Sequence, residues 1–249
     1  MPMAYLCRLQ NVARHNFFMR FTADDHLFVL TGAGISAESG LPTFRGSGGL
    51  WYGHRVQEVA TPEAWRANPE LVWRFYSMRR RDALAAQPNA AHDALAAVEQ
   101  RMGGRFYLCT QNVDDLHERA GSQRIHHMHG TLFQSRCVKC EVPFPDKALY
   151  ETSASLPRCA DCGEPVRPHI VWFGEIPLDM EVIYRELGRA TVVLVVGTSG
   201  SVYPAAGFVE IANRRGSRTV YIGPEEPLNV SAFDEVIQGA ATEVLAQFL

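Results

Sequence analysis

The chain has 249 residues, 47% of them apolar, enough to bury one substantial core or a larger domain carrying a smaller inserted one. Its formal charge of −3 offers no basic footprint for neutralising phosphates, so nucleic acid is not expected as a partner. No apolar run approaches the roughly 20 residues that a bilayer crossing needs, so no membrane partner is expected either.

The first 18 residues carry Arg8, Arg14 and His15 and no acid. They read as an N-terminal extension or an over-long start ahead of Met19, with a transit peptide as the competing reading. No apolar stretch followed by a small-residue cleavage site precedes the six cysteines, so a reducing cytoplasm fits better than a secreted disulfide framework.

Residues 27–30 form a short apolar run bounded by turn residues, the pattern of a buried parallel strand. The turn that follows contains Gly32, Ala33, Gly34 and Ser36, where glycines would let the backbone approach a pyrophosphate; taken alone, such a turn is also a common tight connection. A helical pattern spans 62–86, and Tyr76 and Arg79, three residues apart, share one of its faces. That face is either a binding surface or a solvated side, since Arg80 and Arg81 follow directly. A second helix is expected over 90–102, after Pro88.

Residues 105–110 read as the next buried strand, with Cys109 packed inside it. Gln111, Asn112 and Asp114 stand at its end, where an amide and a carboxylate can hold sugar hydroxyls or a carboxamide; Asp114 could equally cap the following helix. His129 precedes Gly130, with His126 and His127 nearby, and most histidines are not catalytic.

Cys137, Cys140, Cys159 and Cys162 form two C-x2-C pairs separated by eighteen residues. Two such knuckles can present four thiolates tetrahedrally to one Zn2+, against the alternative of two disulfides. A closed four-thiolate site has no open position, so the zinc would be structural. Residues 169–175 mix large apolar residues with Gly174 and read as a core strand or an exposed edge.

A helix over 180–189, a strand over 191–196, a helix over 205–214, a strand over 218–222 and a helix over 232–248 complete the pattern. The alternation implies an α/β fold, a Rossmann-like doubly wound parallel sheet with a small inserted zinc-binding and helical domain.

The stretch from Gly32 through Gly40, Leu41, Pro42, Thr43, Phe44 and Arg45 closely resembles the NAD-binding signature of the sirtuin family. Thr110-Gln111-Asn112-Val113-Asp114, His129-Gly130 and Gly197-Thr198-Ser199 resemble the same family, in order, with the cysteine knuckles in the expected place. The resemblance implies one catalytic unit over 1–249, with a Rossmann-like part at about 20–45, 90–134 and 165–249 and a small part at about 46–89 and 135–164. It makes NAD the co-substrate, contacted by Gly32, Ala33, Gly34, Ser36, Phe44, Arg45, Gln111, Asn112, Asp114, Gly197, Thr198, Ser199, Gly223 and Ala241.

It also makes His129 the general base, with Asn112 beside it, for removal of an acyl group from lysine. Substrate proteins would bind as extended peptides along Val171, Phe173, Gly174 and Val202, adding as a strand. Many relatives carry Asn where this chain has Gly223, so a contact to the adenosine ribose is expected to be lost or replaced by a backbone group. Tyr76 and Arg79 at this spacing, with Thr43 and the small Ser47, match the bacterial and mitochondrial class that prefers succinyl and malonyl groups.

The expectation is therefore a monomeric, cytoplasmic desuccinylase or demalonylase that also deacetylates. Mono-ADP-ribosyl transfer to protein and a non-catalytic NAD-sensing zinc module are the competing readings. The products separate the first, and the intact His129, Asn112 and Asp114 argue against the second.

Overall fold

A computed structural model describes residues 22, 24–43, 51, 53–152, 154 and 156–248. The strands in chain order are β1 (Leu27–Thr31), β2 (Phe106–Thr110), β3 (Ile125–His127), β4 (Gly130–Cys137), β5 (Pro143–Pro145), β6 (Val166–Ile170), β7 (Val192–Val196), β8 (Arg218–Gly223) and β9 (Glu235–Gln238). The α-helices are α1 (Val56–Val59), α2 (Pro62–Ala67), α3 (Pro69–Ala85), α4 (Ala90–Met102), α5 (Leu116–Arg119), α6 (Met180–Arg189), α7 (Phe208–Arg214) and α8 (Ala241–Leu245). Among the described residues no helix is long and apolar enough to cross a membrane.

Six strands form one sheet in the order β3-β2-β1-β7-β8-β9, and every neighbouring pair is parallel. Both faces are covered, as an all-parallel sheet requires. Leu27, Val29, Leu108, Leu194 and Ile222 point to one face and pack against Ala91, Leu95 and Val98 of α4 and Val244 of α8. Phe28, Leu30, Cys109, Val193 and Tyr221 point to the other, against Ile183 and Leu187 of α6 and Phe208 of α7. The period of two in β1 and β7 thus feeds two cores at once. Burial pushes the Cys109 thiol far up, in keeping with a packing role.

The chain runs outward from β1 through β2 to β3 and later returns to lay β7 on the other side of β1. This reversal between β1 and β7 is a switch point, and ligands of such sheets sit outside the carboxyl ends of the strands there.

A second, antiparallel sheet has the order β5-β4-β6. It draws on Gly130–Gln134 and Val166–Ile170, stretches that the sequence reading assigns to the Rossmann-like part. A third core, including Val72, Phe75, Tyr76, Val113, Leu132, Ile170 and Trp172, lies between α3 and this sheet.

Three expectations are corrected. The helix over 62–86 is two helices, because Pro69 supplies no N–H to continue α2 and Asn68 caps α3 instead, its Oδ1 accepting from Leu71 N at 3.0 Å. The helix over 232–248 contains β9 and only the five-residue α8. The helix over 205–214 opens with a 3-10 turn, Ala205–Gly207, before α7.

Arg80, expected beside a solvated face, is fully buried. It donates to Leu132 O (2.6 Å), Ala148 O (2.6 Å), Ser135 Oγ (3.0 Å) and Asp146 Oδ2 (3.2 Å), which ties α3 to the second sheet. Its buried charge is stabilised because each polar face of the guanidinium meets an acceptor.

Candidate active site

The loops that leave β1 and β7 touch backbone to backbone. Gly34 N donates to Gly197 O at 2.9 Å, and Gly32 N donates to Val196 O at 3.0 Å. A Cβ on Gly34 would lie 2.7 Å from Gly197 Cα, and one on Gly197, at φ +62°, would lie 2.6 Å from Ile35 N. No side chain fits in this cradle between the two loops, and glycine at these positions lets their backbones pack directly against each other. The segment Ala33–Ser39 is a 3-10 helix ended by Gly40 at φ +89°. Thr198 and Ser199 continue the loop after Gly197, with Leu228 N donating to Ser199 O at 3.0 Å.

Behind the cradle lies a buried polar network. Ser36 Oγ accepts from Asn112 Nδ2 at 3.0 Å and donates to Asp114 Oδ2 at 3.3 Å. His92 Nδ1 lies 3.0 Å from Asn89 Oδ1 and 3.2 Å from Asn89 N, and its Nε2 lies 3.4 Å from Ser36 Oγ. Thr31 Oγ1 donates to Thr110 Oγ1 at 2.8 Å and lies 3.0 Å from His117 Nε2. Burial pushes His92 down to about 4 and His117 well below the ordinary histidine range, so both stay neutral. Burial raises the Asp114 pKa and outweighs the bonds from Leu116 N and Ser36 that favour its carboxylate.

His129 sits at the entrance to β4. Its Nδ1 lies 3.1 Å from Gln111 O, an acceptor, so Nδ1 carries the proton and Nε2 keeps its lone pair. Burial lowers its pKa from 6.5, and the bond to Gln111 opposes this. Gly130 is at φ +78°, and a Cβ there would overlap His169 O, so the close crossing of β4 and β6 requires glycine at 130. Val171 N donates to His129 O at 2.9 Å, and Phe173 N donates to Ala60 O at 3.0 Å. Val171 is half-buried, whereas Phe173 and Gly174 are exposed. Val202, half-buried, lies on the separate loop after β7.

Tyr76 is fully buried, and its hydroxyl oxygen accepts from Trp172 Nε1 at 3.0 Å. Arg79 is not a solvated side chain: its guanidinium carbon lies 4.0 Å from the centre of the Trp51 ring and 5.6 Å from that of Tyr76. Its charge also reaches Asp114, which it biases toward the carboxylate.

The sequence reading missed His92, His117, Trp51 and Trp172. Only His92 had a local signal, at the third position of a helix capped by Asn89.

Ala241 opens α8 with its methyl in the core. Phe44, Arg45 and Ser47 lie outside the described residues. At Gly223 a Cβ would meet Tyr221 Oη at 2.3 Å. The Tyr221 hydroxyl donates to Thr198 O at 3.1 Å, so a phenol occupies the space where a side chain at 223 would project.

The four cysteine sulfurs lie within 4.8 Å of one another. The Cys137–Cys162 and Cys140–Cys162 pairs are 3.5 Å apart and Cys140–Cys159 is 4.0 Å, too long for disulfides. Tetrahedral zinc with bonds of ~2.3 Å sets its thiolates about 3.8 Å apart, so the four residues fit one zinc ion. Removing it by chelation, or by Cys159→Ser, should release one metal per chain and lower the melting temperature. Metal analysis with thermal unfolding checks this; a demetallated protein that stayed as stable but lost turnover would contradict a structural role.

A doubly wound parallel sheet with a side-chain-free glycine cradle at its switch point defines a dinucleotide-binding α/β protein, here carrying a four-cysteine metal module. The family model described as "Sir2 family" matches residues 32–204. An "NAD-dependent protein deacylase" of Caulobacter vibrioides is 52% identical over 222 residues, covering 88% of this chain and 93% of that protein. A solved Sir2 homolog–NAD complex is 43% identical with a TM-score of 0.83, covering 91% of this chain and 89% of that one. A Sir2–p53 peptide–NAD+ structure is 30% identical with a TM-score of 0.79, covering 96% of each chain. The chain belongs to the Sir2 family.

Proposed function

We propose that the protein is an NAD-dependent protein-lysine deacylase that removes succinyl, malonyl and also acetyl groups, giving nicotinamide, O-acyl-ADP-ribose and free lysine. The observation that carries this reading is the His129 imidazole, just before β4, with its Nδ1 proton fixed on the carbonyl of Gln111, which follows β2 and leads into Asn112 and Asp114. The name of the Caulobacter vibrioides relative and the NAD-bound and peptide-bound Sir2 structures support it.

NAD, when bound, supplies an activated sugar that accepts the acyl group and releases nicotinamide. Gly32, Ala33, Gly34 and Gly197 to Ser199 offer it a backbone surface, with Phe44 and Arg45 as further contacts. Ser36, Asn112 and Asp114 are held rigid by one another, which suits orienting a carboxamide and sugar hydroxyls. Ala241 and Gly223 contribute backbone at the adenosine end. His129 Nε2 removes a proton from a sugar hydroxyl.

The peptide lies extended along Val171, Phe173 and Gly174 with Val202 opposite. Val171 N and Phe173 N are already committed within the chain, so the peptide pairs with other backbone groups of this segment. Tyr76 and Arg79 receive the distal carboxylate of the acyl group. One chain supplies every residue of the site, so a monomer suffices, and four reduced thiolates suit the cytoplasm. Incubating a succinyl-lysine and an acetyl-lysine peptide with and without NAD, followed by mass spectrometry, tests the reading. NAD-dependent loss of the acyl group supports it, and protein-linked ADP-ribose without deacylation overturns it.

A further inference from the structure

We propose that Trp172 is a specificity-positioning residue: its indole N–H takes the acceptor side of the Tyr76 hydroxyl and so commits the hydroxyl proton to an acidic acyl group. The inference rests on the reading of Tyr76 and Arg79 as the acyl-carboxylate site. It begins from the donor inventory. An indole nitrogen only donates, so the 3.0 Å bond between Trp172 Nε1 and Tyr76 Oη must run from Trp172 to Tyr76. The phenol's own proton is left over, and among the described residues no acceptor for it is recorded, although the side chain is fully buried. A buried hydroxyl donor without a partner is costly, so the site is organised for an acceptor that arrives with substrate. Burial raises the Tyr76 pKa, which keeps that proton in place.

The Arg79 guanidinium, 5.6 Å from the Tyr76 ring, supplies positive charge beside the same hydroxyl. A carboxylate is the ligand chemistry that accepts the hydroxyl proton and is drawn to the guanidinium charge.

Trp172 can set this direction because it is itself clamped. Its backbone N donates to Glu175 Oε2 at 2.8 Å, and the Arg167 guanidinium carbon lies 3.3 Å from the centre of its ring. Arg167 in turn grips Glu175 through two bonds of 2.7 and 2.9 Å and donates to Ile170 O at 2.8 Å. The clamp is nearly buried, with Arg167 at 7% exposure and Trp172 at 2%. The same residue lies between Val171 and Phe173, so the peptide-receiving segment and the far end of the acyl pocket are held by one side chain.

Trp172→Phe keeps an aromatic ring over Arg167 and removes the indole N–H together with part of the ring volume, a packing loss that bears on both peptides alike. Its succinyl-over-acetyl preference in kcat/KM should fall about ten-fold, through the succinyl KM rather than kcat. Combining it with Tyr76→Phe should cost nothing beyond Tyr76→Phe alone, because the indole acts through the phenol. Equal losses on both peptides, or additive losses in the double variant, would overturn the proposal. Should Trp172→Phe fail to fold, the indole 15N–1H resonance of the otherwise native protein gives a second test. It should shift in Tyr76→Phe and on adding a succinyl-lysine peptide, and a resonance indifferent to both overturns the proposal. Wild-type protein with no preference for the succinyl peptide would sink the acyl-class reading itself, an outcome distinct from a preference that survives Trp172→Phe.

Discussion

His129→Ala is expected to bind NAD near normally and to lose about 10²- to 10⁴-fold in turnover, the usual contribution of a general base. The separation follows from geometry. His129 reaches the rest of the site through its own backbone and the Gln111 carbonyl, whereas the glycine cradle and the Ser36–Asn112–Asp114 triangle do not depend on its imidazole. The pH profile carries a matching signature. Burial holds His129 below its ordinary 6.5, so the basic form is present above that lowered value and is lost as pH falls through it. In the native protein kcat/KM should therefore be level near neutrality and fall on the acid side, and the alanine variant should lose that limb. Calorimetric NAD binding paired with steady-state turnover checks both. A variant with near-normal turnover would remove His129 from the mechanism.

Arg79→Met is expected to lower the preference for a succinyl over an acetyl peptide by about 10- to 150-fold, mainly through KM. Hydrogen bonds to a charged group contribute roughly 1.5 to 3 kcal/mol, which converts to that range. An acetyl group offers the guanidinium nothing to hold, and Arg suits a planar carboxylate better than Lys would. Methionine keeps part of the length that fills the space over Trp51, so the aromatic wall formed by Trp51, Phe75 and Tyr76 need not collapse. Kinetics on matched peptides decide the matter. Equal damage to both substrates would make Arg79 a structural or general peptide contact.

The central strands were legible because β1, β2 and β7 are nearly continuous apolar runs and β8 carries one in Val220-Tyr221-Ile222, as suits buried parallel strands. The edges were not. β3 is three residues, two of them histidines, and β9 reads Glu-Val-Ile-Gln, without strand alternation, within a stretch whose spacing also fits a helix. The break between α2 and α3 had a signal in Asn68-Pro69, which an apolar period running across it concealed.

At the site, spacing picked out the cysteines, which the fold then gathers from two separate knuckles. What spacing does not carry is which polar side chains the fold turns inward. Arg80 lies in a run of three arginines yet only it is wholly buried, because it alone meets the carbonyls of β4 and the carboxylate of Asp146. Trp172 is 96 residues from Tyr76, and nothing local announces that they share a hydrogen bond.

The phenol at 221 standing over Gly223 ties the two positions together in any change of sequence. A side chain added at 223 would have to displace the Tyr221 ring, since its first carbon would meet the Tyr221 hydroxyl and ring. Nor is Tyr221 an idle filler, because its proton holds the Thr198 carbonyl of the loop after β7. The two positions are interlocked: a larger residue at 223 moves the phenol off the Thr198 carbonyl, and a smaller residue at 221 opens the space that a side chain at 223 would fill.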